Sequence, residues 1–167
     1  MLNYTLAFDN MPAHSQNPLI QRRAIVQLFN KAASRAKRRR FLARFTGHST
    51  QLHALKTQNS QADGQVLGIQ SVSLDEIVGS EGRYHDFDNQ FWPLKERNRD
   101  RWVNIAQAIR NKKSLPPVQL IYTDNGYFVR DGHHRISVAR ALGQATIEAE
   151  VISCKNWIMV LRLEIRD

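Results

Sequence analysis

The sequence is poor in cysteine and has no long apolar run. Its 167 residues include one cysteine, Cys154, and a single thiol cannot form an internal disulfide, which fits a reducing compartment. No stretch of eighteen apolar residues occurs, so we predict no membrane span. The first ten residues lack the basic start and apolar centre of a secretory signal. These absences favour a cytoplasmic protein.

Acidic residues are scarce in the first part of the chain. The chain has 24 Lys and Arg, 15 Asp and Glu and a formal net charge of +9, and residues 1–65 hold ten of the basic residues but only two of the acidic ones. This asymmetry indicates a polyanionic partner, nucleic acid before a membrane surface. We predict two parts: a basic helical extension with a polar linker over residues 1–65, and a domain over residues 66–167.

A basic helix is predicted from Asn17 to about Phe45, because Asn favours the N-cap and the following proline favours the first helical position. Apolar residues recur on one face of it, and basic residues lie mostly off that face. The side chains predicted to contact DNA phosphates are Arg35, Lys37, Arg38, Arg39 and Arg40. The alternative is a solvated basic face whose apolar side packs on the core, or on a second copy of the chain in a homodimer.

The second part centres on residues 127–143, which predict a strand, a glycine turn and a helix. Five residues form the turn and the start of the helix: Asp131, Gly132, His133, His134 and Arg135. A helix N-terminus offers free backbone N–H groups and the positive end of the helix dipole. An anion, most often a phosphate, can bind there.

The other segments predict a compact α+β domain with a mixed sheet and flanking helices. We predict strands at 66–72, 118–122, 127–130 and 146–152, a helical turn at 74–78, a polar loop at 79–90, a helix at 99–113, and a strand or helix at 157–165. Residues 48–65 are predicted to be a linker in which Leu52 and Leu55 briefly prolong the first helix.

The turn residues suit phosphate chemistry. Gly132 lets the backbone approach an anion closely, and Arg135 offers a bidentate, permanently charged fork. His133 and His134 are candidate catalytic groups that can donate to phosphate oxygens and would add charge if their pKa values were near neutrality. Asp131 is a further catalytic candidate that orients a histidine, or a ligand for Mg²⁺ together with Asp86.

This stretch resembles the ParB/sulfiredoxin superfamily in its Asp-Gly-His-His-Arg turn and in residues 139–143 after it, and residues 77–83 and 115–118 resemble upstream segments of that superfamily. The resemblance covers about residues 66–152. It implies a fold whose Gly-x-x-Arg turn binds nucleotide phosphates: CTP in partition-type ParB proteins, ATP or ADP in sulfiredoxin and in free-serine kinases. Gly132 is then the loop glycine and Arg135 the phosphate-binding arginine. Arg83 is the candidate second contact, because the corresponding loop crosses the nucleotide site.

Two departures from the superfamily narrow its function. His133 replaces the cysteine of sulfiredoxin, and a sulfinic-acid reductase needs that thiolate, so sulfiredoxin activity is not expected. His133 and His134 also replace the Glu-Arg pair of partition-type ParB, which argues against CTP switching. We therefore expect a nucleotide-binding protein that hydrolyses (as a nucleoside triphosphatase) or senses a nucleoside triphosphate and contacts DNA through its basic helix. One alternative is a ParB-like enzyme of another kind, a metal-dependent nuclease or a small-molecule kinase, with Glu81, Asp86 and Asp88 as available carboxylates. The other is a non-enzymatic nucleic-acid-binding regulator.

Overall fold

The computed structural model describes residues 17–47, 49–55 and 65–153. Two 3-10 turns, Leu74–Glu76 and Glu96–Asn98, separate longer elements. The helices and strands, in chain order, are α1 (Pro18–Thr46), β1 (His53–Ala54), β2 (Gln65–Ser73), β3 (Ile77–Ser80), α2 (Arg99–Arg110), β4 (Val118–Thr123), β5 (Gly126–Asp131), α3 (His133–Ala141) and β6 (Thr146–Ser153). The predicted element at 157–165 lies outside the described residues. No helix in the described ranges is long and apolar enough to cross a membrane.

The strands form one mixed sheet of six, in the order β1-β3-β5-β4-β6-β2. β4 and β5 pair as an antiparallel hairpin with Thr123 opposite Gly126, while β3 runs parallel to β5 and β6 runs parallel to β4. The α+β class with a mixed sheet is therefore confirmed. Because β3 and β5 are parallel neighbours, the segments that follow them, 81–94 and the start of α3, lie at the same edge of the sheet.

The apolar stripe of α1 packs on the other two helices. Asn17 caps the helix by accepting a hydrogen bond from the backbone N–H of Leu19 at 2.9 Å, and Gly47 ends it. Ile25 and Phe29 are fully buried, in one cluster with side chains of α2 and α3. The stripe thus lies on the core, as one of the alternatives for this helix expected.

Two segments differ from the sequence prediction. Residues 51–55 do not prolong α1: His53 and Ala54 form β1 beside β3, and the backbone N–H of Leu55 donates to the carbonyl of Ser80 at 2.9 Å. Only Leu74–Glu76 of the predicted turn is helical, with Ser73 as its cap. The β-branched Ile77 and Val78 then enter β3, since the adjacent β5 offers them a ladder of hydrogen bonds.

Candidate anion-binding site at the N-terminus of α3

Gly132 makes the turn between β5 and α3. Its φ of 102° lies in the left-handed region, which only glycine adopts readily. A Cβ at this position would lie 2.5 Å from Val118 Cγ1 and 2.7 Å from Val118 Cβ. Glycine is therefore required at this position for two reasons: the left-handed backbone conformation, and the close contact with Val118, the first residue of β4.

Arg135 ties the segment before β4 to the helix. One of its terminal nitrogens donates to the carbonyls of Pro116 and Pro117, the latter at 2.8 Å. The other donates to Asp131 Oδ2 at 2.5 Å. The predicted phosphate-binding arginine and the predicted catalytic acid are thus paired with each other, and they also fix the turn.

His133 is buried between β3 and the loop after it. Its Nε2 lies 2.5 Å from Ser80 Oγ, and its ring stacks on Phe87 at a centroid distance of 6.1 Å. Burial, followed by the charge of Arg83, lowers the pKa of His133 from 6.5 to about 4. The imidazole is therefore neutral near pH 7.

His134 is also buried and neutral. Burial lowers its pKa from 6.5 to about 4, with smaller contributions from the charges of Arg101 and Arg83. Its ring meets Phe87 edge-on at 5.2 Å, and its Nε2 has no hydrogen-bond partner among the described residues. The histidines were expected to add positive charge only if their pKa values were near neutrality, and neither pKa is. An unpartnered buried nitrogen costs free energy unless a ligand or a water pairs with it.

A small cavity of about 30 Å³ opens between these residues, and we call it the α3 cavity. That space holds roughly one water molecule. Its lining residues are Arg83, Arg101, Ile105, Asp131, Gly132, His133, His134 and Arg135. The structure therefore brings together the predicted turn residues and Arg83, whose backbone is itself left-handed with a φ of 54°. Three arginines face one carboxylate, so the lining favours an anion.

Arg101 and Ser80 were not predicted from the sequence. The apolar spacing of α2 identifies its buried face, but it does not show which polar neighbour points at a turn thirty residues later. Ser80 lies in β3, which the sequence prediction did not separate from the following loop. For Arg101, its position beside the buried Trp102 is the only local signal.

The acids near the site are held by arginines. Asp86 accepts a hydrogen bond from Arg97 at 2.7 Å and also lies 3.8 Å from Arg83. Glu81 pairs with Arg130 at 3.0 Å. The described residues contain no group of three His, Cys, Asp or Glu side chains that could hold a metal. The donor set around Asp131 and Asp86 does not fit a metal ion, because each of these carboxylates is paired with an arginine.

The five basic residues predicted to contact DNA lie on α1, away from the α3 cavity. Arg39 is turned inward: it donates to Asn89 Oδ1 at 3.0 Å and lies 3.9 Å from the buried Asp88. Asp88 in turn accepts from two backbone N–H groups of its loop, and burial raises its pKa. The other four side chains are exposed: Arg35, Lys37, Arg38 and Arg40.

Among solved structures, the chain is similar to the crystal structure of sulfiredoxin from Arabidopsis thaliana. The two share 19% sequence identity with a TM-score of 0.40, over 59% of this chain and 98% of the sulfiredoxin chain. No family model and no curated protein matches the sequence.

Proposed function

We propose that this protein binds the phosphates of a nucleotide at the α3 cavity. The observation that carries the proposal is the convergence of Arg83 and Arg101, from two separate segments, on the N-terminal turn of α3. Cationic side chains and helix N–H groups aimed at one point suit a phosphate. The unpartnered Nε2 of buried His134 supplies a further group that a ligand can satisfy.

The size of the cavity limits which part of a nucleotide it can recognise. About 30 Å³ fits part of a phosphate and not a base, so recognition here is by charge. We therefore expect CTP, ATP and ADP to bind with similar affinities. The proposal covers binding alone, because each carboxylate considered as a catalytic base is paired with an arginine: Glu81 with Arg130, Asp86 with Arg97, and Asp88 with Arg39.

The test is nucleotide binding by isothermal titration calorimetry, with ATP, ADP, CTP and GTP, in the wild type and in Arg101→Ala. A charge-assisted hydrogen bond is worth about 1.5–3 kcal/mol, so we expect Arg101→Ala to weaken binding by about tenfold or more. Arg99→Ala is the matched control: Arg99 is on the same helix, and its ion pairs are to exposed Glu96 and Asp100. Equal affinities of the two variants, or no binding of any nucleotide, would contradict the proposal.

We also propose that α1 contacts DNA. The observation that favours this contact is the composition of the helix, which contains nine Lys and Arg and no Asp or Glu. Four of the five predicted contacts are exposed. Neutralised phosphates release counterions, so we expect the affinity for an oligonucleotide to fall steeply with salt. Fluorescence anisotropy across a salt series measures this, and an affinity that does not change with salt would contradict the contact.

A further inference from the structure

A second and larger cavity lies where α1 crosses the last turn of α3, and we call it the α1 groove. It measures about 390 Å³, within the range of roughly 300–1,000 Å³ found for small-ligand sites. Its floor is mostly apolar and consists of Leu28, Ala32, Trp92, Ala141 and Leu142. Its position beside Gly143 puts it at the opposite end of α3 from the α3 cavity.

Four cations surround this apolar floor: Lys31, Arg35, Arg38 and Arg140. Three of them, at positions 31, 35 and 38, follow one face of α1 and span about 10 Å along its axis. No acidic side chain of the described residues lines the groove, and of its four cations only Arg140 forms an ion pair in the described part of the chain, with Asp75 outside the lining.

Two of these guanidinium groups are already held in place. Arg35 lies over the Trp92 ring, with its central carbon 4.9 Å from the ring centroid. Arg140 donates to Asp75 Oδ1 at 3.1 Å and to the carbonyl of Leu74. Its Nε is buried without a partner in the described part of the chain. Binding a ligand therefore costs these two groups little side-chain entropy.

We propose that the α1 groove binds single-stranded nucleic acid, with a base on the apolar floor and the phosphates on the cations. The proposal rests on the nucleic-acid contact proposed for α1 and specifies the form of the nucleic acid. Single-strand sites combine a basic path for the backbone with planar or apolar surfaces for unstacked bases. A duplex keeps the faces of its bases stacked inside and presents phosphates and base edges, so no base face would cover the apolar floor.

The arginines also favour a nucleic acid over an acidic peptide. The guanidinium groups of Arg35 and Arg38 can stack on bases as well as bind phosphate. The Arg35 guanidinium on Trp92 leaves its outer face as such a surface. A peptide carboxylate would gain from the charge but not from this plane.

The experiment compares a labelled 15-residue oligo-dT with a duplex of the same length by fluorescence anisotropy. The groove variant is the double substitution Arg35→Ala and Arg38→Ala. The matched control is Lys37→Ala and Arg40→Ala, which removes the same charge from exposed positions of the same helix that do not line the groove. Both pairs should reduce the salt dependence alike, by about 0.7 in slope for each phosphate that the protein no longer neutralises.

We expect the wild type to prefer the single strand. We expect the groove variant to bind oligo-dT about tenfold or more weakly, as is usual when a side chain that stacks on a base is removed, and the control to be weakened several-fold less. Three results would overturn the inference while leaving the contact of α1 with nucleic acid in place. The first is equal weakening in the two variants, and the second is equal affinity for duplex and single strand. The third is that a poly-glutamate peptide displaces labelled oligo-dT at a lower concentration than unlabelled oligo-dT does. No binding of either oligonucleotide would overturn both.

Discussion

The requirement for glycine at position 132 can be tested as a free energy of unfolding. Alanine there must adopt a φ near 102°, which costs about 1–2 kcal/mol. Its Cβ would also lie 2.5 Å from Val118 Cγ1, and relieving such an overlap in a packed region costs about 1–3 kcal/mol. Alanine restricts the unfolded chain, which returns about 0.4–1 kcal/mol. We therefore expect Gly132→Ala to destabilise the protein by about 1–5 kcal/mol.

The matched control is Gly143→Ala, just beyond the other end of α3. Gly143 also has a positive φ, of 72°, but no atom lies within 4 Å of the position its Cβ would occupy. This variant incurs the backbone cost alone, so the difference between the two variants isolates the overlap with Val118. Urea unfolding followed by circular dichroism measures both, provided that the slopes with denaturant stay unchanged.

A double-mutant cycle with Val118→Ala identifies the contact directly. Val118→Ala removes Cγ1 and its 2.5 Å overlap but keeps Cβ, 2.7 Å from the added atom, so the double variant should be less destabilised than the sum of the single variants. If Gly132→Ala costs no more than Gly143→Ala, or if the cycle is additive, the contact with Val118 does not require glycine at position 132.

Two further predictions concern the buried histidines and α1. The pKa values of His133 and His134 fall to about 4 in the folded state, so between pH 6.5 and 4 the unfolded chain binds more protons than the folded one. The histidines therefore leave the free energy of unfolding undiminished above pH 6.5. As the pH falls from 6.5 to 4, we expect this free energy to decrease by roughly 3 kcal/mol for each ring. Urea unfolding at several pH values should show this decline weakened in the variant His133→Gln with His134→Gln, and an unchanged pH dependence would count against it. Phe29 is fully buried, with its ring centroid 5.6 Å from that of Trp102, so we expect Phe29→Ala to destabilise the protein by about 3–5 kcal/mol. Phe45 is 76% exposed, and we expect Phe45→Ala to change stability by less than about 0.5 kcal/mol. We expect Phe29→Ala to lower the temperature of a single thermal unfolding transition of the whole protein. If the sheet still unfolded at the wild-type temperature, α1 would not be part of the same core.

The elements predicted well from the sequence have signals close together in the chain. Asn17 before a proline marks the start of α1, and the turn at 124–126 separates the two strands of the hairpin. The order strand, glycine, helix around Gly132 is equally local. In each case the capping or turn residue and the periodic segment it bounds lie within a few positions of each other.

The misplaced or missing parts depend on contacts between distant segments. β1 and β3 are short strands that exist because they pair, β1 with β3 and β3 with β5. Arg135 donates to backbone carbonyls eighteen and nineteen residues upstream, which no spacing rule describes. The three consecutive arginines 38–40 look alike in the sequence, yet only Arg39 turns inward. Its orientation follows from the rotation of α1 relative to the loop that holds Asp88 and Asn89.

The length of α1 has a consequence for how its stability is distributed. The helix is about 43 Å long at 1.5 Å per residue, but its buried residues lie only between Ile25 and Ala36. Beyond them, Phe41, Leu42 and Phe45 are exposed, so the last turns of the helix extend past the core into solvent. Tertiary packing supplies most of the stability of a helix, and beyond the contacts of Arg39 with Asn89 and Asp88 this end relies on its own backbone hydrogen bonds. The α1 groove, with Arg38 at its margin, therefore lies where the helix passes from a strongly stabilised segment to one that can open without unfolding the domain.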